Sequence, residues 1–299
     1  MPNLYTQADS NIRKTWLLIT VFLVLIIVLG WVFARAYQRP DILYFAVGLS
    51  FLMNFLAYYK SDSIALAMSH AQPVKREQYV DLFQIVENLC ITAGLPMPRM
   101  YIIPELQINA FATGRNAKHA AVAVTQGALQ KLNENELKGV LAHELSHVGN
   151  RDILISSVVV VLAGLVAILS DWFLRASFFQ GRGDRDRDGG GGLIMLIGLA
   201  LAILAPLAAT LIRLAVSRKR EYLADASGAL LTRYPEGLAS ALEKIKSDGS
   251  AMRFAAHNAT AHLFLSNPFK GQHGRSWLTN LFMTHPPLED RIKTLRSLR

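Results

Sequence analysis

The chain has a single cysteine, Cys90, in 299 residues. That excludes an internal disulfide and any metal site built from several thiolates, and it fits a structural thiol in a reducing compartment. Charge is scarce too. Asp, Glu, Lys and Arg make up 18% of the residues, against about 25% in ordinary soluble domains. Acids are the scarcer sign, 22 against 31 bases, which leaves a net charge of +9. No compact basic stripe with interleaved aromatics accompanies that excess, so it does not point to nucleic acid. Basic residues beside hydrophobic spans face anionic lipid instead.

Apolar sequence is what abounds: 52% of the chain, with mean hydropathy +0.27. It is gathered in four blocks. Residues 15–34 carry no charge between Lys14 and Arg35, and a helix of that length spans about 30 Å, the hydrocarbon thickness. The block is too long for a signal-peptide core and no small-x-small cleavage site follows promptly. Residues 42–59 form a second uncharged block, ending in Tyr58 and Tyr59 before Lys60. Trp31, Tyr44, Tyr58 and Tyr59 lie near block ends, where amphipathic rings sit at headgroups. The turn Gln38-Arg39-Pro40-Asp41 joins the two blocks into an expected transmembrane hairpin.

Residues 153–170 and 189–212 are the third and fourth blocks, joined by RGDRDRD at 182–188 and a glycine run. That linker reads as a mobile loop. The third block is marginal in length for a span, and its alternative is a buried helical hairpin of a larger domain. Pro206 should kink the fourth. Arg13, Lys14, Lys60, Lys75, Arg76, Arg218, Lys219 and Arg220 favour both termini and the polar middle on the cytoplasmic side, with Arg35 and Arg39 pulling the other way. The expected organisation is a membrane hairpin (1–60), a first polar part (61–152), a second hydrophobic hairpin (153–212) and a second polar part (213–299).

In the first polar part, residues 76–92 have helical periodicity, with Tyr79, Phe83 and Val86 on one face. Gly94-Leu95-Pro96-Met97-Pro98 ends that helix. Residues 99–103 and 120–124 read as strands. So does Asn109-Ala110-Phe111-Ala112-Thr113-Gly114, whose small side chains let another backbone approach. A cleft edge that pairs with an extended peptide has that character; so does an ordinary hairpin. Asn133 and Glu136 form a capping box for a helix through Leu137, Val140, Leu141, His143 and His147.

That helix carries His143-Glu144-Leu145-Ser146-His147. Residues four apart leave one helical face, so both imidazoles can hold one metal. Glu144 lies off that face, where it can take a proton from water at the metal and later deliver it to a leaving amine. Leu141, Ala142, Leu145 and Val148 around the trio place it in a pocket. A catalytic zinc needs a third protein ligand. Asp152, about 140° around the helix from His147, is a poor candidate and reads as an interfacial or helix-surface charge. Glu221-Tyr222-Leu223-Ala224-Asp225 is stronger: Glu221 and Asp225 share a face, so one can bind metal while the other buttresses a ligand. Glu221 pairing only with Arg218 or Arg220 stays open. His285, held by Thr284 and two prolines, could hydrogen-bond an oxyanion, and Arg291 could pair with Asp225 or another site carboxylate; a plain helix-start loop and a surface arginine stay open for the two. The remaining histidines, His262 among them, read as scattered in loops and polar stretches.

These pieces, in this order and among these hydrophobic blocks, closely resemble the HtpX family of bacterial membrane zinc metalloproteases, related to the CAAX prenyl proteases. The resemblance implies an α+β membrane protein. Its catalytic domain would be mainly helical and gluzincin-like, with a small β-sheet and about four transmembrane or membrane-embedded helices. It implies one Zn2+ per subunit on His143, His147 and Glu221, with Glu144 as general base and His285 stabilising the intermediate. Asn109, Ala110, Phe111 and Ala112 would hold substrate, and Asp225 and Arg291 would support the ligands. It further implies endoproteolysis of damaged, misfolded or misassembled membrane proteins at the cytoplasmic face of the inner membrane. Envelope stress, lipid contact and contact with other quality-control proteases belong to the same expectation.

Overall fold

The computed structural model describes residues 4–180, 217–252, 260–266 and 286–298. The fourth apolar block, the glycine-rich linker, Thr284 and His285 lie outside the described residues. Helix α1 (Leu4–Tyr37) and helix α2 (Asp41–Tyr59) form the expected hairpin. The reversal uses a positive φ of 53° at Gln38 and a hydrogen bond from the Arg39 amide to the Ala34 carbonyl. The apolar part of α1 and the whole of α2 are long and apolar enough to cross a membrane.

Where about four such helices were expected, the described residues hold these two. A third arises only if helix α6 (Glu134–Gly149) and the start of helix α7 (Asp152–Gln180), bent by 85°, count as one broken span. The third block begins as a protein-buried helix. Ile153, Ile155, Val158, Val159, Val160 and Leu162 are all buried, because α7 runs between the α1–α2 hairpin and the polar part of the chain.

Helix α3 (Ser61–Met68) leads into a four-stranded mixed sheet in the order β1-β2-β4-β3. Strand β1 (Gln72–Pro73) is antiparallel to β2 (Arg99–Ile103), β2 is parallel to β4 (Ala121–Thr125), and β3 (Ala110–Thr113) is antiparallel to β4. That leaves β3 as a sheet edge. Helix α4 (Val80–Ala93) precedes β2 and stops at Gly94, whose φ of +64° is cheap only without a Cβ. Helix α5 (Gln126–Lys131) follows β4.

Helix α6 starts on the expected capping box. The Glu136 amide donates to Asn133 Oδ1 at 3.0 Å, and the Asn133 amide to Glu136 Oε2 at 2.8 Å. Helices α8 (Arg218–Thr232), α9 (Pro235–Ser247) and α10 (Leu288–Arg296) complete the described chain. Val86, Leu89, Val122, Val124, Leu141, Leu145, Leu242 and Leu295 belong to one core joining α4, the sheet, α6, α9 and α10. A second core joins α1, α2 and α7. Burial at about 25 cal/mol per Å2 of apolar surface is what drives both.

Candidate metal centre

His143 and His147 stand one turn apart on α6, with their Nε2 atoms 3.2 Å from each other. Each ring has its Nδ1 against a carboxylate: His143 at 2.9 Å from Asp225 Oδ1, His147 at 2.9 Å from Asp152 Oδ2. A neutral ring held this way carries its proton on Nδ1 and turns a lone pair outward on Nε2. Two lone pairs at that distance repel. A proton on one ring relieves the conflict, and so does a cation between them. Tetrahedral zinc with bonds of about 2.0–2.1 Å holds neighbouring ligand atoms about 3.3–3.4 Å apart.

Glu221, near the start of α8, completes the set. Its Oε1 is 3.6 Å from His147 Nε2 and its Oε2 is 3.9 Å from His143 Nε2. One ligand atom from each of the three residues lies within 4.8 Å of the other two. The donor set, two outward imidazole nitrogens and one carboxylate, is that of a zinc site that keeps a position open. What lets α8 approach is Gly228: a Cβ there would lie 3.0 Å from the His143 backbone nitrogen.

Asp152 corrects the sequence reading. It is not a surface charge but a buried partner of His147. The 140° offset holds only on one continuous helix. The chain instead breaks after Gly149, Arg151 takes a φ of 57°, and the 85° bend brings Asp152 back under the ring. Asp225 is held by Arg291, which donates from Nε to Oδ2 at 2.8 Å and from Nη2 to Oδ1 at 2.7 Å. Arg291 Nη1 also lies 3.6 Å from Glu221 Oε2. Burial raises the Asp225 carboxyl, but Arg291 and His143 outweigh it and bring the group down to about 2. For Arg291, burial lowers the pKa and Asp225 more than restores it.

Burial raises the Glu144 carboxyl above the ordinary range, against the charges of His143 and His147 and the backbone of Ala112. His147 is pushed up to about 9. Burial alone would lower it, but the Asp152 hydrogen bond and the charges of Glu221, Asp152 and Glu144 prevail. A cleft of about 40 Å3 lies over these groups, walled by Ala112, Ile153, His262, Leu263 and Leu265. In sequence His262 is one of several histidines dispersed in a polar stretch. It is buried, and its Nε2 is 3.1 Å from the Ser156 carbonyl oxygen on α7. No local pattern marks it, because its position depends on contact between distant segments.

The edge of β3 is already paired. The Leu265 amide donates to the Ala110 carbonyl at 3.2 Å. Next to it, Asn109 Oδ1 accepts from the Ser266 amide at 3.2 Å, and Asn109 Nδ2 donates to the Ser266 carbonyl at 3.0 Å. Residues 265 and 266 thus run in reverse order along 110 and 109, as an antiparallel peptide does. Phe111 was expected among the substrate-holding residues. Its ring is wholly buried, edge-on to Phe264 at 5.3 Å, so it anchors the strand from the other side.

Comparison with known proteins gives the family and the fold. Residues 75–299 match the model of Peptidase family M48. A "Protease HtpX homolog" of Thermoanaerobacter pseudethanolicus is 49% identical over 301 residues, covering 99% of this chain and 98% of the relative. One from Pyrococcus furiosus is 45% identical over 289 residues, covering 95% of each. The crystal structure of S. mikatae Ste24p shares the fold with a TM-score of 0.50 at 18% identity, over 89% of this chain and 62% of that one.

Proposed function

The chain belongs to peptidase family M48, the HtpX-like zinc metalloproteases related to the CAAX proteases, and from that premise we propose that it cuts damaged, misfolded or misassembled membrane proteins at internal peptide bonds. It is a zinc metalloendopeptidase, and the observation that carries this is the pair of outward Nε2 atoms facing Glu221 beside the buried Glu144.

His143, His147 and Glu221 would hold one zinc ion per subunit, and bound there it supplies Lewis acidity to a water and to the scissile carbonyl. Glu144 is the general base in this reading. Its carboxylate takes the proton of the attacking water and returns it to the departing nitrogen. A carboxyl raised by burial suits both halves of that task. Asp152 and Asp225 orient the two imidazoles, and Arg291 fixes Asp225. His285 is proposed to donate a hydrogen bond to the oxyanion.

Substrate is proposed to lie extended along β3. Asn109 and Ala110 would take its backbone, Ala112 would border it, and Phe111 would brace the strand. Residues 265 and 266 already use the Ala110 carbonyl and the Asn109 carboxamide, which supports the edge as a peptide acceptor. For substrate to take them, that stretch must move aside.

The membrane assignment is part of the proposal. Exposed Trp16, Leu17, Val21, Val24, Val28 and Trp31 on α1, with Phe45, Phe51 and Phe55 on α2, suit lipid. We place the protein in the bacterial inner membrane as a multi-pass protein, with residues 153–212 adding membrane-embedded length and the catalytic side toward the cytoplasm. Contact with other quality-control proteases belongs to the same reading.

The test compares zinc-loaded wild type and Glu144→Gln on a misfolded membrane protein, with cut sites mapped by mass spectrometry. Internal cuts by the wild type alone are expected. Equal cleavage by Glu144→Gln sinks the base assignment, and terminal trimming alone sinks the endopeptidase reading.

A further inference from the structure

Asn11 is a fully buried polar residue on α1, four positions before the uncharged run that enters the membrane. A buried carboxamide is costly unless its donors and acceptor are used, and here they are used in one place. Nδ2 donates to Asp152 Oδ1 at 2.7 Å and to the Asn150 carbonyl at 3.2 Å. Oδ1 accepts from Arg220 Nη1 at 3.1 Å. Asn150 and Asp152 flank the bend between α6 and α7, and Arg220 immediately precedes Glu221. One side chain of the membrane helix therefore joins the segment carrying His147 to the segment carrying Glu221.

The geometry at Asp152 shows what the contact does. Asn11 occupies Oδ1, which Arg220 Nε also faces at 3.7 Å. That leaves Oδ2 for His147 Nδ1. Rotation of the carboxylate would break the Asn11 and His147 bonds together. We propose that Asn11 is a positioning residue for the metal centre, so that docking of α1 sets the Asp152 carboxylate and, through it, the His147 imidazole. The membrane anchor is then part of the zinc site, and metal affinity depends on a residue of the first transmembrane helix. The inference rests on the reading of His147 as a metal ligand.

The experiment uses the full chain in detergent or nanodiscs and two readouts other than turnover: the zinc Kd by chelator competition, and the visible absorption of the Co2+-substituted protein. Asn11→Leu keeps the branching and the number of side-chain heavy atoms and removes the bonds. It is expected to weaken zinc about tenfold, the lower end for partners outside the ligand set, and to shift the Co2+ bands. Asp152→Asn should weaken zinc at least as much. Adding Asn11→Leu to Asp152→Asn should cost nothing further, because Asn11 acts through Asp152. Thr15→Val, one turn along the same buried face, removes a bond from Thr15 Oγ1 to the Asn11 carbonyl without touching Asp152 and should leave the Kd unchanged.

The proposal is overturned if Asn11→Leu matches wild type, if its cost is the same in the Asp152→Asn background, or if Thr15→Val reproduces it. If His147→Ala binds zinc as tightly as wild type, the metal assignment itself falls and takes the proposal with it. If His147→Ala loses zinc while Asn11→Leu does not, the proposal alone falls.

Discussion

Arg291 grips Asp225 through two parallel hydrogen bonds, 2.8 Å from Nε and 2.7 Å from Nη2, with both side chains buried. The fork matches a carboxylate as an ammonium cannot. It ties α10, near the C-terminus, to α8 and, through Asp225, to His143.

Arg291→Ala should therefore do two things. It leaves the Asp225 charge buried and uncompensated, a loss that costs about 3–5 kcal/mol when one partner of a buried pair is removed, so thermal unfolding moves clearly downward. The sign of the pH dependence follows from the depressed Asp225 carboxyl. Its contribution is present above the ordinary carboxylate pKa and is lost as pH falls through about 2. Without Arg291 that loss should begin at higher pH. Arg291→Lys should recover only part of the stability. Acid titration of the unfolding midpoint for the three proteins checks this, and superimposable curves would remove the pair from the stability argument.

Zinc uptake should release a proton. With His147 pushed up to about 9, the metal-free ring is protonated at neutral pH, and its Nε2 proton answers the facing His143 nitrogen 3.2 Å away. Zinc needs that lone pair. Calorimetry at pH 7 in buffers of different ionisation enthalpy should give about one proton released from this ring, falling toward zero above pH 9. In the metal-free protein the raised pKa stabilises the fold fully below the ordinary histidine value, and that contribution fades as pH rises through about 9. Buffer-independent heats at pH 7 would refute the assignment.

How much of this was legible depends on the range of the interaction. The capping box at Asn133 and Glu136 and the motif from His143 to His147 are local, and sequence spacing placed them on one helix. Spacing alone favours Glu221 as the third ligand but leaves a pairing with Arg218 or Arg220 open; the packing of α8 on α6 is what brings it to the two histidines. Asp152 is not legible from spacing, because an ideal helix no longer applies once Arg151 turns the chain; the Gly149-Asn150 pair, a common helix ending, is the only local signal of that break. Asn11 and His262 left no local trace at all. Their partners, Asp152 and Ser156, are more than a hundred residues away in sequence.

Gly228 should be intolerant of a branched side chain. A Cβ at this position meets backbone atoms of Ala142 and His143 at 3.0–3.2 Å, and backbone cannot swing aside as a side chain can. Gly228→Val should push α8 off α6 and carry Glu221 away from the two imidazoles. The expected result is a zinc Kd weakened by about 10–100-fold with far-UV circular dichroism little changed. A wild-type Kd would show that the helices can separate without loss of the site.

Asn109 offers the sharpest test of the substrate edge. Its carboxamide presents one acceptor and one donor to the Ser266 backbone, the pair of bonds that a residue of an extended substrate would make. Gln107 Oε1 and the Ala110 amide, at 3.1 and 3.2 Å, hold it in that orientation. Asn109→Ala removes both bonds without touching a metal ligand. Two backbone bonds at about 0.5–1.5 kcal/mol each correspond to a fall in kcat/KM of about 5–150-fold, with zinc stoichiometry unchanged. Asn109→Asp keeps the acceptor but sets a carboxylate oxygen against the substrate carbonyl, so it should fall at least as far. Peptide cleavage by the three zinc-loaded proteins decides it. Unchanged kcat/KM in Asn109→Ala would mean that this residue only holds the chain's own residue 266, and the extended-substrate reading of β3 would lose its anchor.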